Sequence, residues 1–371
     1  MRIGIFGGSF DPVHNDHVAI CNQFVKVANL DEVIIVPTHL SPFKSKVGAS
    51  GKHRLEALRL AFANNPMVSV CDYEILQEGK SYTYKTVEYI KSIKQNCDLF
   101  FLMGADSLAG FDKWKNPDYI AKNCTIVVAG RSNYPLLPAL NSFKEKFGSN
   151  IITFDFNGGI SSTYVRELLK LNVCSDKYIP QSVLDYLREK GLYQGDDMYK
   201  YLISVSKPAR LVHTAGVIAY SIAYAKRLGV NEESARVAAL LHDVAKYLNA
   251  EDYPNCVIEK NVPKQVVHQY LGAYIAKEIL NVTDEDVLNA IRYHTTGRPE
   301  MSLLEKIVCV ADLLEPNRTY DEVQSLRDKI NADFESGFRF CIKRLYYFIL
   351  KNENQVFDLT RQANEYYNGK M

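Results

Sequence analysis

Two groups of residues in this chain of 371 have types and spacing suited to chemistry. The first is the run Gly7-Gly8-Ser9-Phe10-Asp11-Pro12-Val13-His14-Asn15-Asp16-His17. It lies between Arg2–Phe6, which reads as a short buried strand, and Val18–Phe24, which starts an amphipathic helical pattern. A glycine-bearing strand-to-helix turn exposes backbone N–H groups beside a positive helix end, a natural seat for phosphate. Two imidazoles three residues apart add donors on one side of that seat. A Gly-Gly turn alone would suggest a tight turn with packed histidines; the full run points to a nucleotide.

The second group is His213, His242-Asp243, His268, His294 and Asp312. His242-Asp243 stands inside Ala238–Lys246, an otherwise apolar stretch read as helical, where charge and imidazole are costly unless paired or ligated. A single histidine there would be a satisfied core residue. Four of the chain's eight histidines and two aspartates, on separate or adjacent helical segments, point instead to a metal centre. Imidazole and carboxylate together suit iron, manganese or zinc, and ligand identity does not choose among them.

The elements needed to position these groups differ between the halves. Arg2–Phe6, Val33–Pro37, Val68–Val70, Leu99–Met103, Thr125–Ala129 and Ile151–Phe154 read as strands separated by helical stretches such as Arg54–Phe62. That alternation predicts a Rossmann-like α/β domain with a doubly wound parallel sheet, its ligands beyond the strands' carboxyl ends. Gly7–His17, Pro37–Lys44, Gly104–Asp106 and Gly130-Arg131 all fall there. After the polar Gln194-Gly195-Asp196-Asp197 the strand signal ends, and Glu232–Leu248, Lys264–Leu280 and Asp284–His294 read as helices. The expectation is an α/β domain over 1–195 and an all-α domain over 196–371.

With 44 Lys and Arg against 43 Asp and Glu, no global field favours nucleic acid or an anionic membrane. There is no signal core or membrane-length apolar run. The eight cysteines are scattered without a Cys-x-x-Cys pair, as expected of reduced thiols. These features predict a soluble, cytoplasmic protein and leave oligomerisation open.

The first run resembles the His-x-Gly-His pattern of nucleotidyltransferases, and its wider wording resembles bacterial nicotinate-mononucleotide adenylyltransferases. Gly104-Ala105-Asp106-Ser107, Lys113-Trp114, Gly130-Arg131, Ile160–Arg166 and Ile179–Tyr193 follow in the order that family shows. The resemblance implies attack by the phosphate of nicotinate mononucleotide on the α-phosphorus of ATP, assisted by Mg²⁺, with pyrophosphate leaving. It assigns the phosphate clamp to His14, His17, Lys44 and Arg166, aided by Ser161, Ser162 and Thr163. Gly7, Gly8, Ser9, Phe10 and Arg131 join the substrate-binding set, Gly104 and Asp106 hold nucleoside or ribose, and Thr83 and Trp114 stand near the nicotinate ring. Trp114 could equally be a core or rim aromatic. Two positions depart from the family: Asp16 replaces the glycine of His-x-Gly-His, and Phe43 stands where relatives often carry histidine. An inward-facing Asp16 would repel triphosphate or recruit a cation.

The second group, with Leu240–Lys246, Ala290–Arg298 and Ala311–Arg318 around it, resembles the HD superfamily of metal-dependent phosphohydrolases. It is closest in wording to bacterial enzymes that split diadenosine tetraphosphate into two ADP. The resemblance implies a dinuclear transition-metal centre, iron or else manganese, where water attacks phosphorus. Asp243 would bridge the metals, with His213, His242 and Asp312 completing one and His268 and His294 the other. Lys246, Arg298 and Arg318 would grip the polyphosphate, although each alone would more often be a solvated surface cation. Alternatives are an adenylyltransferase for nicotinamide mononucleotide or phosphopantetheine in the first half. In the second they are a nucleotidase, a cyclic-dinucleotide phosphodiesterase or another alarmone hydrolase. Either half could instead be a non-catalytic nucleotide sensor.

Overall fold

The computed structural model describes all residues except 40–47, 78, 131–135, 149, 259–261, 354–355 and 370–371. The chain divides into two compact units, one of residues 1–166 and 174–193, the other of 167–173 and 194–371.

The first unit is built on six strands: β1 (Arg2–Gly8), β2 (Glu32–Pro37), β3 (Val68–Val70), β4 (Asp98–Gly104), β5 (Cys124–Gly130) and β6 (Ile151–Asp155). They lie in the order β3-β2-β1-β4-β5-β6, and every neighbouring pair is parallel. Runs such as Val33-Ile34-Ile35-Val36 and Leu99–Met103 are buried at successive residues, so both faces of the central sheet are covered. That is why these strands read as continuous apolar runs and not as alternating ones. Gly4 permits close helix packing, because a Cβ there would collide with Phe24 and Leu30. The strand order reverses between β1 and β4, and the connections after Gly8 and Gly104 diverge there to leave a ligand crevice.

The second unit is helical. Helices Pro208–Leu228, Glu232–Leu241, Val267–Glu278, Glu285–Arg292 and Leu303–Leu314 surround a core that includes Leu240, Leu271, Ile291 and Val308. Short polar side chains cap three of the helix starts. Asn231 accepts from two backbone amides, Asp284 from one, and Ser302 forms a reciprocal box with Glu305. Helices Val323–Ala332, Phe334–Glu353 and Asp358–Asn368 follow.

The expected helix over Glu232–Leu248 is shorter, ending at Leu241. Beyond it Val244 N donates to Leu241 O, Lys246 N to Asp243 O and Leu248 N to Ala245 O. These three-residue steps tighten the backbone relative to an α-helix. Likewise the helix read over Asp284–His294 ends at Arg292, and Lys264–Val266 is a 3₁₀ turn before the Val267 helix. His242, Asp243 and His294 therefore stand just past helix ends. All eight cysteines are free, and no helix among the described residues is long and apolar enough to cross a membrane.

Candidate functional sites

At the carboxyl end of β1 the chain turns through Gly8–Val13 into the helix Asn15–Ala28, and His14 and His17 form its cap. His14 N donates to His17 Nδ1 at 3.2 Å, and the two rings stack with centres 3.6 Å apart. Phe10, with a positive φ of 44°, sets its ring edge against His17 at 5.0 Å. The two imidazoles are thus fixed as one block beside the helix start.

The helix Ser162–Lys170 is brought to the same place. Ser162 Oγ donates to Pro12 O at 3.1 Å and Arg166 Nη1 to Asp11 O at 2.7 Å, while Arg166 Nη2 donates to Thr163 Oγ1 at 3.1 Å. Ser161 Oγ accepts from Tyr164 N at 3.2 Å. Two helix N-termini and their flanking Ser, Thr, His and Arg side chains therefore converge, an arrangement suited to a polyphosphate. The buried Asp11 carboxylate accepts from Gly48 N and Ala49 N, and from the Tyr193 hydroxyl. Buried Arg54 donates to Ser9 O at 2.7 Å and to Ala49 O and His39 O. Asp11 and Arg54 hold this loop without having been singled out in the sequence. Both pair with backbone groups, and only their charge inside an apolar setting could have signalled that role.

Asp16 does not stand alone against the crevice. Its Oδ2 accepts from Ile160 N at 2.8 Å, and a Cβ on Gly158 would run into the same carboxylate. The departure from glycine at this position thus fastens the loop that precedes Ser161.

Gly104 lies at the end of β4, and Asp106 folds back so closely that a Cβ on Gly104 would touch its Oδ1. Thr83 opens the helix Thr83–Ile93. Trp114 packs edge-on against Phe101, at 5.9 Å between ring centres, and is half-buried against the core. Lys115 Nζ lies 4.7 Å from the ring centre of Tyr82, which brings the Thr83 and Trp114 segments together. Lys44, Phe43 and Arg131 lie outside the described residues.

In the second unit the six expected ligand side chains gather into two groups. His213, His242 and Asp312 present atoms within 4.8 Å of one another, as do Asp243, His268 and His294. His213 comes from the helix Pro208–Leu228, His268 from Val267–Glu278 and Asp312 from Leu303–Leu314; the other three come from the turns after two further helices.

The imidazoles are oriented from behind. His242 Nδ1 bonds Ala239 O at 2.7 Å, His294 Nδ1 bonds Ile291 O at 2.8 Å, and His213 Nδ1 faces Glu315 Oε1 at 3.2 Å. Those partners fix which nitrogen faces the cluster, the usual support for a metal-binding histidine. Buried His213 Nε2, His242 Nε2 and Asp243 Oδ1 make no hydrogen bond, although His213 Nε2 lies 3.0 Å from Asp312 Oδ1 and Asp243 Oδ1 lies 3.1 Å from His268 Nε2. Donor atoms this close without hydrogen-bond geometry, in a dry setting, fit a divalent metal better than a polar network.

Electrostatics agree. Burial pushes His268 down to about 4 and lowers His242, so both imidazoles are neutral and able to ligate near pH 7. Burial alone would raise the Asp243 carboxyl, yet the imidazoles of His242, His268 and His294 hold it well below the ordinary range. For His213, burial, which lowers it, is outweighed by the adjacent Asp312 and Glu315 carboxylates, and the imidazole is raised.

Around the ligands, Lys246 Nζ lies 3.2 Å from His268 Nε2, and Arg318 Nη2 donates to Asp312 Oδ1 at 2.9 Å. Arg298 instead donates through Nε and Nη2 to both oxygens of buried Glu305, at 2.8 and 2.6 Å. Two residues not singled out in the sequence belong here. Arg210 Nη1 donates to Asp243 Oδ2 at 2.7 Å, and Glu315 orients His213. Each stands three residues from an expected ligand, Arg210 before His213 and Glu315 after Asp312, so the helical period was an available signal.

Residues 5–168 match the cytidylyltransferase-like family, and residues 210–317 match the HD domain. A Mycoplasma genitalium protein described as a probable nicotinate-nucleotide adenylyltransferase/Ap4A hydrolase is 33% identical over 331 residues, covering 86% of this chain and 89% of the relative. A Mycoplasma pneumoniae protein of the same description is 29% identical over 86% of this chain and 90% of its own length. A probable nicotinate-nucleotide adenylyltransferase of Clostridium acetobutylicum is 35% identical over 51% of this chain and 97% of its own length.

Proposed function

The chain belongs to the family of bifunctional nicotinate-nucleotide adenylyltransferase/Ap4A hydrolase proteins, and from that membership we propose that it carries both activities, adenylyl transfer in residues 1–195 and hydrolysis in 196–371. The observation that carries the reading is the joint presence of two constellations among the described residues. Two helix starts meet around His14 and His17, and two triads of oriented His and Asp donors meet in the helical unit.

In the first reaction the phosphate of nicotinate mononucleotide attacks the α-phosphorus of ATP, forming nicotinate adenine dinucleotide and releasing pyrophosphate. The nucleophile is already anionic, so the chain need not supply a strong base. Its work is orientation and neutralisation of charge. His14, His17 and the backbone donors of both helix starts face the phosphates, while Ser162 and Arg166 keep those starts together. Lys44, Gly7, Gly8, Ser9, Phe10, Thr83, Gly104, Asp106, Trp114 and Arg131 complete the assignment. Magnesium arrives with ATP as part of the substrate.

In the second reaction water cleaves diadenosine tetraphosphate symmetrically into two ADP. The six side chains would hold divalent metals, iron or else manganese, which would supply Lewis acidity for the activation of water. The chain holds three of the imidazoles, His213, His242 and His294, by their rear contacts, and Asp243 of the second group also lies 3.5 Å from His242 of the first. Lys246 and Arg318 place positive charge at the ligands' edge, where a polyphosphate would lie. Arg298 would reach phosphate only by leaving Glu305.

Product analysis of the full chain tests both halves. ATP with nicotinate mononucleotide should give the dinucleotide and pyrophosphate, with the amide substrate turned over poorly. After loading with Fe²⁺ or Mn²⁺, diadenosine tetraphosphate should give ADP alone. ATP plus AMP would contradict symmetrical cleavage, and no product after loading would make the helical half a binding module.

A further inference from the structure

Helices Val323–Ala332 and Phe334–Glu353 lie outside the HD-domain match and line an open groove of about 500 Å³. On the longer helix Phe340, Lys343, Arg344, Tyr347, Phe348 and Lys351 line the groove at the i, i+3, i+4, i+7, i+8, i+11 spacing of one face. The opposite face, with Phe338, Cys341 and Ile342, is buried. A helix face outside the core is ordinarily polar, yet this one leaves Phe340 47% and Phe348 56% exposed among cations.

The charges are arranged over the rings. Lys329 Nζ lies 4.2 Å from the Phe340 ring centre, and the Arg344 guanidinium lies 4.1 Å from the ring centre of Tyr320 and 5.9 Å from that of Phe348. Lys329, Lys343, Arg344 and Lys351 oppose one acid, Glu322, among the described lining residues. Arg344 Nε is buried without a hydrogen-bond partner, the nearest Glu322 oxygen being 3.6 Å away. An apolar ligand would leave that donor unsatisfied and four cations with a single carboxylate, Glu322, as counter-charge. Bare phosphate would leave the aromatic faces wet. A ligand with an aromatic base and several phosphates meets both needs, and the volume is that of an ordinary small-molecule site.

We infer that this groove is a separate binding site for a nucleoside polyphosphate, its base on the Phe340 and Phe348 rings and its phosphates on Arg344, Lys343 and Lys351. The site goes beyond both proposed activities and shares none of their residues.

Photolabelling of the full chain with 8-azido-ATP, followed by peptide mapping, tests it directly. Label is expected within residues 322–351 and should be competed by ATP. At equal probe concentration Arg344→Gln and Phe348→Ala should each weaken it by about tenfold, the scale of one charge-assisted hydrogen bond or one stacked ring. Unchanged thermal melting of each variant would show that the fold is kept. Absence of label in this segment, label that survives both substitutions, or equal competition by adenosine would overturn the inference. Binding to phosphatidylserine vesicles without photolabel would make the face a membrane contact and overturn it as well.

Discussion

Replacing Asp16 separates two opposite roles for the residue that departs from His-x-Gly-His. If its carboxylate repelled ATP, any neutral replacement would help. The geometry gives it the other role, because Asp16 Oδ2 accepts from Ile160 N at 2.8 Å and so fastens the loop leading into Ser161–Thr163. A hydrogen bond to a charged acceptor contributes about 1.5–3 kcal/mol. If that energy serves to place the second helix start, its loss corresponds to about 10- to 100-fold in kcat/KM for ATP, at about 1.4 kcal/mol per tenfold. Asp16→Ala should fall in that range. Asp16→Asn keeps an acceptor oxygen for Ile160 N and should lose less. Gly158→Ala should resemble Asp16→Ala, since its Cβ would drive into the carboxylate. Initial rates of dinucleotide formation at varied ATP and saturating nicotinate mononucleotide read this out. Tighter ATP dependence in both Asp16 variants would refute the reasoning and restore the repulsive role.

Further outcomes follow from the same geometry. Glu315→Ala removes the partner behind His213 and should weaken transition-metal binding by about 10- to 100-fold, measured by calorimetric titration. Gly216→Ala should act alike, because a Cβ there would strike the Glu315 carboxylate. Burial raises the Glu74 carboxyl above its ordinary 4.5, with Thr86 and Ser81 offsetting only part of that. Its contribution to stability is therefore most favourable below pH 4.5, declines as pH rises through the folded-state value, and stays reduced above it. Glu74→Gln should accordingly raise Tm at neutral pH and lose that gain in acid, as followed by thermal melts across pH.

Much of this organisation was legible in the sequence because burial leaves a compositional trace. Each strand read from a continuous apolar run is present, extended by one or two residues at most ends where glycine or a charged residue closes it. The metal-type ligands were legible because six costly polar groups in apolar helical surroundings call for a common explanation. What periodicity missed was the backbone change at His242, where three-residue hydrogen-bond steps replace the helix without altering the apolar pattern. Arg54 and Asp11 were missed for another reason. Their roles depend on which loop they meet across long chain separations. Asp16 was visible as a departure, but only its contact with Ile160 N gives it a structural role.

The central claim is that one chain holds two independent sites, and a paired product assay on His17→Ala and Asp243→Ala tests it most directly. Each full-length variant is supplied in parallel with ATP plus nicotinate mononucleotide and with diadenosine tetraphosphate, after metal loading. The account predicts that His17→Ala loses dinucleotide formation and still releases ADP, while Asp243→Ala loses ADP release and still forms the dinucleotide. Wild-type turnover of both reactions in either variant, or loss of both reactions from one substitution in a chain that melts normally, would contradict it.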